Sequence, residues 1–436
     1  MISTKEFNYN RRRFLENTGK GLLATSLLEP FTALGGLGDL GGERKERPDI
    51  GREVISVQLK PLNDASEQQE APYPEVFEPS QRLGYCIVGL GHLTLGEIMP
   101  AFANCKYSRP VALVSGDPAK AAKVAAQYGI SPKNIYSYQN FDHIRDNKEI
   151  DIVYIVLPNS MHEEYTIRAA RAGKHVLCEK PMATSPQSAQ RMIDACSGAG
   201  KKLMIAYRIQ YEPMNKMVMQ WTRDNEFGKV KVIESWNSQN AGDPTQWRLK
   251  KALSGGGPLP DMGIYNLNTT RYILGEEPDW VYGQAFTTPG DKRFKEVEET
   301  MLFQFGFPSG VIANAGTSYG VHETRRYRCL TDKGASYGME PSFSYRGLKL
   351  DLSQARGMQE RKQQIVLGEK DQFALEMDHM SWCVLKDLKP FTPGEEGLQD
   401  MKIIAAIYQS ASEGKPVKLE SITKTDAFRG PKPEEN

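Results

Sequence analysis

Three side chains stand where proton chemistry could be run. Asp261 and Tyr265 lie four residues apart in the run GGGPLPDMGIYNLNTTRYILGEEP at 255–278, and Lys180 lies in Cys178-Glu179-Lys180-Pro181. Positions i and i+4 share one face of a helix, so a carboxylate and a phenol can be aimed into one cleft. Oxidising a hydroxyl requires a base that takes the O–H proton while hydride leaves the carbon. A free phenol is a poor base at neutral pH, with a pKa of about 10. A neighbouring ammonium favours the phenolate form. In reverse, the neutral phenol donates the proton to a nascent alkoxide, and the ammonium polarises the carbonyl. On this reading Tyr265 is the acid/base, Lys180 its electrostatic partner, and Asp261 the orienter of substrate or of Lys180. Any one of them alone would read as half of a buried ion pair or as a packed Tyr. Their joint occurrence with the glycine loop described next carries the chemistry.

The elements that must position them follow from the hydrophobic pattern. Short apolar runs at 85–89, 111–115, 152–157, 175–178 and 203–206 alternate with helical stretches near 94–103, 118–128, 162–172 and 185–199. That alternation predicts right-handed crossovers and a doubly wound parallel sheet of the Rossmann type. Gly89-Leu90-Gly91 follows directly on the first strand and opens a helix. Gly89 permits the tight turn, Gly91 lets a pyrophosphate approach the backbone, and the helix start offers unpaired N–H groups. Thr94 stands where the third glycine of GxGxxG is usual. The second strand ends in Ser115-Gly116-Asp117, with Lys120 five residues beyond Ser115. An NAD site needs a carboxylate at that strand end for the ribose 2′-hydroxyl. Ser115 with Lys120 predicts NADP instead. Asp117 would restore NAD preference if it turned inward, but Asp117-Pro118 reads as a helix start.

After residue 210 the pattern changes. A helix is expected at 213–226, strands at 230–238, 280–287, 299–307, 310–318 and 324–331, and a turn at FPSG (307–310). With helices at 258–274, 371–388 and 398–412, this predicts an α+β domain with a large, open, mostly antiparallel sheet. Leu157-Pro158-Asn159-Ser160-x-His162 and Cys178-Glu179-Lys180-Pro181 both sit past parallel strands, where an open α/β sheet binds its ligand.

PNSxH, the AGKHVLCEKP block, the Trp247-Arg248 pair, the 255–278 run and the closing GEEGLQDMKIIAAIYQSASEGKPV together resemble the glucose–fructose oxidoreductase / inositol dehydrogenase family, over residues 72 to about 419. Many members of that family carry His where Tyr265 stands, so the DxxxY segment is similar to the glucose–fructose oxidoreductase branch. The resemblance implies oxidation of a glucose-like aldose to its lactone and reduction of a fructose-like ketose or other sugar on one tightly bound, internally recycled NADP. The cofactor residues expected are Gly89, Leu90, Gly91, His92 (through its backbone), Leu93, Ser115, Gly116, Lys120, Tyr138, Leu157, Pro158, Asn159, His162, Glu179, Lys180, Arg208, Trp247 and Arg248. The substrate residues expected are Lys180, Tyr207, Arg208, Asp261, Tyr265 and Tyr345. His162 reads as a wall of the nicotinamide site or as a simple cap. His175 reads as core, and Asp378-His379 as an internal hydrogen-bonded pair.

Composition bounds the rest. The chain has 436 residues, 55 Lys plus Arg against 54 Asp plus Glu, and a net charge of +1. So balanced a charge gives no field for gripping nucleic acid. The six cysteines form no CxxC, and no metal is expected. Arg11-Arg12-x-Phe14-Leu15 followed by a short apolar stretch resembles a twin-arginine export signal, too short and broken for a membrane anchor. The expected organisation is a signal at 1–40, a Pro-rich extended arm at 41–84, an NADP-binding domain at 85–208, a substrate and oligomerisation domain at 209–420 and a tail at 421–436. The expected location is the periplasm, reached folded through the twin-arginine machinery. The resemblance implies a homo-oligomer, dimer or tetramer, whose arm covers the cofactor of a neighbouring subunit. Three other functions fit the same residues: a dehydrogenase or reductase with exchangeable NADP, a redox-assisted glycosidase, and a non-catalytic sugar sensor.

Overall fold

The computed structural model describes residues 81–433. The export signal and most of the arm lie outside the described residues. Six parallel strands form the first sheet: β1 (Leu83–Val88), β2 (Ser108–Val114), β3 (Ile135–Tyr136), β4 (Ile152–Ile155), β5 (His175–Glu179) and β6 (Leu203–Ala206). Their order is β3-β2-β1-β4-β5-β6, so the chain reverses direction of travel between β1 and β4. That reversal opens a crevice at the carboxyl ends of the two strands. Every residue of β1 and β4 is buried, as expected of strands covered by helices on both faces. β1 begins at Leu83, two residues inside the segment assigned to the arm. A Cβ on Gly84 would lie 1.8 Å from the Glu149 carbonyl oxygen, so glycine is required where these two segments touch.

The second sheet has nine strands: β7 (Val230–Asn240), β8 (Trp280–Phe286), β9 (Thr300–Gly306), β10 (Ile312–Ser318), β11 (Gly320–Thr331), β12 (Ala335–Met339), β13 (Leu350–Arg356), β14 (Gln359–Ile365) and β15 (Val417–Lys418). Its order is β14-β13-β12-β11-β7-β10-β9-β8-β15. All pairs are antiparallel except β7 with β10. The turn at Phe307–Gly310 joins β9 to β10 as expected, with Gly310 at a φ of +85°.

The chain then returns to the first sheet. In helix Gln372–Leu385, Asp378 accepts from the backbone N–H of Lys106 and Tyr107 and from Ser108 Oγ, while Tyr85 Oη donates to the Met377 carbonyl at 2.7 Å. His379 is half-buried, and its Nε2 accepts from the Phe391 N–H; Asp378 and His379 are structural, although they do not pair with each other.

A second tie is a cluster of buried charges. Arg271 sits in helix Ile264–Leu274, the helix that carries Tyr265. Its guanidinium donates to Glu277, Glu396 and Asp400, and Arg429 donates to Glu396 at 2.6 Å. All five side chains are fully buried. Two guanidinium groups face three carboxylates. Burial and the Glu396 charge therefore push the Asp400 carboxyl up to about 6, against the pull of Arg271. Removing one member of such a network leaves a buried charge uncompensated. Arg271→Met is expected to lower unfolding stability by about 3–5 kcal/mol, read as a fall in the urea midpoint; a loss below about 1 kcal/mol would show that the cluster does not hold the helix.

Candidate active site

The glycine loop fits a dinucleotide. Gly89 has a φ of +96°, and a Cβ there would come within 2.3 Å of the Val156 carbonyl oxygen. Only glycine can make this turn. Thr94, in place of the third glycine, closes the loop by donating its hydroxyl to the Gly89 carbonyl at 2.7 Å. A Cβ on Gly91 would meet nothing within 4 Å, so the backbone there is open to a phosphate. Leu90 is buried beneath the loop, while Gly91 and His92 face solvent. At the end of β2, Ser115 Oγ accepts from the Asp117 N–H. The Asp117 carboxylate caps helix Pro118–Gln127 by accepting from the Lys120 N–H at 2.9 Å, so it is engaged as a cap. Tyr138 packs against Gly116, where a Cβ would lie 3.3 Å from its ring.

Two loops past β4 and β5 are fastened together. Asn159 Nδ2 donates to the Ser254 carbonyl at 2.8 Å, tying its loop to the second domain instead of leaving the amide for a ligand. His162 is fully buried, with Nδ1 2.9 Å from the Pro181 carbonyl oxygen and Nε2 2.9 Å from that of Leu157. Both ring nitrogens face backbone carbonyl oxygens, and burial lowers its pKa, so the neutral ring donates to one of the two carbonyls. His162 is therefore a clamp between the loops, not a wall of the nicotinamide site. Glu179 also turns inward, accepting from Tyr154 Oη at 2.8 Å, so only its backbone borders the crevice.

Lys180, Asp261 and Tyr265 come together as expected. Lys180 Nζ donates to the Asp261 carbonyl at 2.7 Å and to its Oδ1 at 3.0 Å, and lies 4.7 Å from the centroid of the Tyr265 ring. Asp261 Oδ2 accepts from Arg248 Nε at 3.0 Å and from Tyr319 Oη at 2.6 Å. Asp261 thus orients Lys180, and three of the four lone pairs of its carboxylate are taken. The helix expected over 258–274 opens with a π-helical turn, Leu259–Gly263, before the α-helix Ile264–Leu274. Such widened turns recur at functional sites. Here the turn puts both the Asp261 carbonyl and its carboxylate on Lys180. Glu298 fixes the approach to that turn, accepting from the N–H groups of Gly257 and Leu259 and from Tyr408 Oη.

The electrostatics lock these charges. Burial alone would push the Asp261 carboxyl up, but the Lys180 ammonium, the Arg248 guanidinium and the Tyr319 hydroxyl hold it well below the usual carboxylate range. Burial alone would lower Lys180, but Asp261 above all raises it beyond the usual lysine range. Lys180 is then a fixed ammonium with three donors, two of them spent. The Tyr265 phenol lies beside it.

Other expected residues fall elsewhere. Arg248 stacks on Trp247, 4.6 Å from its ring centroid, and serves Asp261. Arg208 donates to Tyr265 Oη at 3.3 Å and is buried. Tyr345 covers Arg208 from the other side, its ring centroid 4.7 Å from the guanidinium carbon. Tyr207 is buried beside Asp400 and Glu396, within the charge cluster, and does not face a substrate. Tyr319, Glu298 and Gln372 were not expected. They hold Asp261, the π-turn and Arg208 from distant segments, and no local motif marks them. Among the described residues no group of His, Cys, Asp and Glu could hold a metal ion.

The depressed Asp261 value has a sign. A carboxyl lowered by folding stabilises the fold above its unfolded value, about 3.9, and loses that contribution as pH falls below it. The stability gap between the native protein and Asp261→Asn is therefore expected to be full and flat from pH 5 to 8 and to shrink below pH about 4. Urea midpoints across pH test this; a gap that widens in acid would contradict it.

Residues 83–207 match the family model described as the oxidoreductase family, NAD-binding Rossmann fold (GFO/IDH/MocA), and residues 216–336 match the GFO/IDH/MocA C-terminal domain. The chain is 32% identical over 342 residues to D-xylose 1-dehydrogenase [NADP(+)] of Haloarcula marismortui, covering 77% of this chain and 93% of that one. It is 28% identical over 338 residues to D-xylose 1-dehydrogenase (NADP(+)) 2 of Haloferax volcanii, covering 77% and 99%. Among solved structures, it superposes on the aldose-aldose oxidoreductase from Caulobacter crescentus with a TM-score of 0.74 and 44% identity, over 78% of this chain and 100% of that one. Matched in both of its sheets and along nearly the whole length of these relatives, the chain belongs to the GFO/IDH/MocA oxidoreductase family.

Proposed function

We propose that this enzyme is an NADP-preferring sugar oxidoreductase that oxidises an aldose to its lactone and reduces a second sugar on the same retained cofactor. The observation that carries the reading is the fixed Lys180 ammonium against the Tyr265 ring, at the crevice that the glycine loop opens. A nicotinamide nucleotide bound at Gly89–Leu93 and Ser115 supplies the two-electron acceptor and donor. Lys180 holds the sugar oxygen with its unspent N–H. Tyr265 Oη takes the hydroxyl proton in oxidation and returns it in reduction, so one residue serves both half-reactions. The name of the Caulobacter relative supports a cycle between two sugars. A ketose fits the same chemistry, because either sugar presents a carbonyl to Lys180 and Tyr265.

The proposal extends to cofactor choice, location and assembly. Ser115 at the strand end, with Asp117 turned to its helix, favours a 2′-phosphate. The twin-arginine pattern points to export of the folded protein to the periplasm, where no free NADP pool exists and a bound cofactor must be recycled in place. Six buried free thiols suit a protein that folds before it reaches an oxidising compartment. Leu302 and Ile312 lie exposed on the open face of the nine-stranded sheet, which favours a homo-oligomer, with the arm at 41–84 over a neighbour's cofactor.

The two NADP-dependent xylose dehydrogenases favour a second reading, a dehydrogenase with exchangeable cofactor. The two readings separate in one experiment. Protein purified without added nucleotide is expected to release NADP(H) on denaturation, identified by mass spectrometry, and to convert an aldose with a second sugar with no cofactor added. Protein that arrives empty and turns over only with added NADP supports the second reading. Ser115→Asp is expected to invert the NADP-over-NAD preference in a binding titration; an unchanged preference would remove Ser115 from the cofactor site.

A further inference from the structure

We infer that Arg208 directs the hydroxyl of Tyr265, and that Gln372 is the positioning residue that aims Arg208. The inference rests on the reading of Tyr265 as acid/base. Lys180 lies over the face of the Tyr265 ring and spends two of its three protons on Asp261. Among the described residues, the hydrogen bond to Tyr265 Oη comes from Arg208 Nη2. The group that touches the reacting oxygen is thus the guanidinium.

Arg208 is held on every side. Nη1 donates to Gln372 Oε1 at 2.5 Å and to the Ser344 carbonyl at 3.2 Å, and Nη2 donates to the Phe343 carbonyl at 2.6 Å. Its plane lies between the rings of Tyr265 and Tyr345, with Phe373 beneath. Gln372 in turn donates through Nε2 to the carbonyls of Ser344 and Tyr345, each at 3.0 Å. Every polar atom of the Gln372 side chain is therefore spent on this cage. All four N–H groups of the two terminal nitrogens of Arg208 are engaged, and the fifth, on Nε, is buried without a hydrogen-bond partner.

The chemical consequence is directional. With one lone pair of Oη facing Arg208, the phenol must send its own O–H elsewhere, and an approaching sugar hydroxyl meets the remaining lone pair. Arginine keeps its charge throughout. Its N–H therefore donates to phenol and phenolate alike, more strongly when the oxygen is negative. A contact that strengthens as charge develops accelerates the step rather than binding the ground state. At 3.3 Å the bond is long, as such bonds are before substrate tightens the site.

A double-mutant cycle tests this. Single-turnover sugar oxidation, read by nicotinamide absorbance, is compared in native protein, Arg208→Met, Tyr265→Phe and the double variant. Arg208→Met is expected to lower the rate about 10- to 100-fold, with sugar KM and cofactor affinity unchanged, and to cost nothing further in Tyr265→Phe. Gln372→Leu, measured in the same cycle, is expected to act in the same direction and serves if Arg208→Met does not fold. Additive losses overturn this inference and leave the acid/base reading standing. A near-normal rate in Tyr265→Phe overturns both.

Discussion

The ion pair between Lys180 and Asp261 is the contact on which the site depends. Lys180 leaves the end of a strand in the parallel sheet, and Asp261 stands in the first turn of a helix laid on the other sheet. The two domains meet chemically at this point. An ammonium taken out of water needs a partner of opposite charge, and Asp261 supplies one with a carboxylate oxygen and a backbone oxygen together. Arg248 and Tyr319 then balance the carboxylate. Each of these groups is compensated only while the others stay in place, so the crevice has one arrangement and not several.

Such locking divides the labour between groups. Charges that cannot change over the working pH range make a preorganised field, and fields of this kind supply much of the rate enhancement in many enzymes. On the proposed function a proton must still move, and it moves on the Tyr265 phenol, which lies beside these fixed charges. The buried His162 and Glu179, which a motif reading places at the cofactor, serve instead to fasten the loops on which Lys180 rides.

What could be read from the chain alone followed burial. Strands such as Leu83–Val88 and Ile152–Ile155 are buried end to end, so their apolar runs announce them. Gln359–Ile365 is mostly exposed and reads QERKQQI, with no alternation to betray a strand; Ala335–Met339 is buried but reads ASYGM, short and with a glycine, and Leu350–Arg356 alternates only at Leu350 and Leu352, so neither was expected. Ile135–Tyr136 is simply too short. Within the site, residues inside a motif were legible in identity but not always in direction. Asp261 and Tyr265 point where helical spacing sends them, whereas His162, Asn159 and Tyr207 point into protein. Tyr319 and Gln372 could not be read at all, because their partners lie 58 and 164 residues away.

The buried charge cluster sets an order of events during synthesis. Arg271 is made early relative to the residues that neutralise it: Glu396 and Asp400 come more than a hundred positions later, and Arg429, which completes the set, comes 33 residues after Glu396. Until Arg429 has left the ribosome, Glu396 has only Arg271 as a countercharge, and the cluster that seats the helix bearing Tyr265 is incomplete. The parallel sheet can gather as its strands emerge, since its contacts are local by comparison. The crevice, by contrast, is seated only after Glu396, Asp400 and Arg429 have been made. A chain stopped before Glu396 would carry a gathered parallel sheet, but Arg271 would lack two of its three carboxylates and the Tyr265 helix its seat.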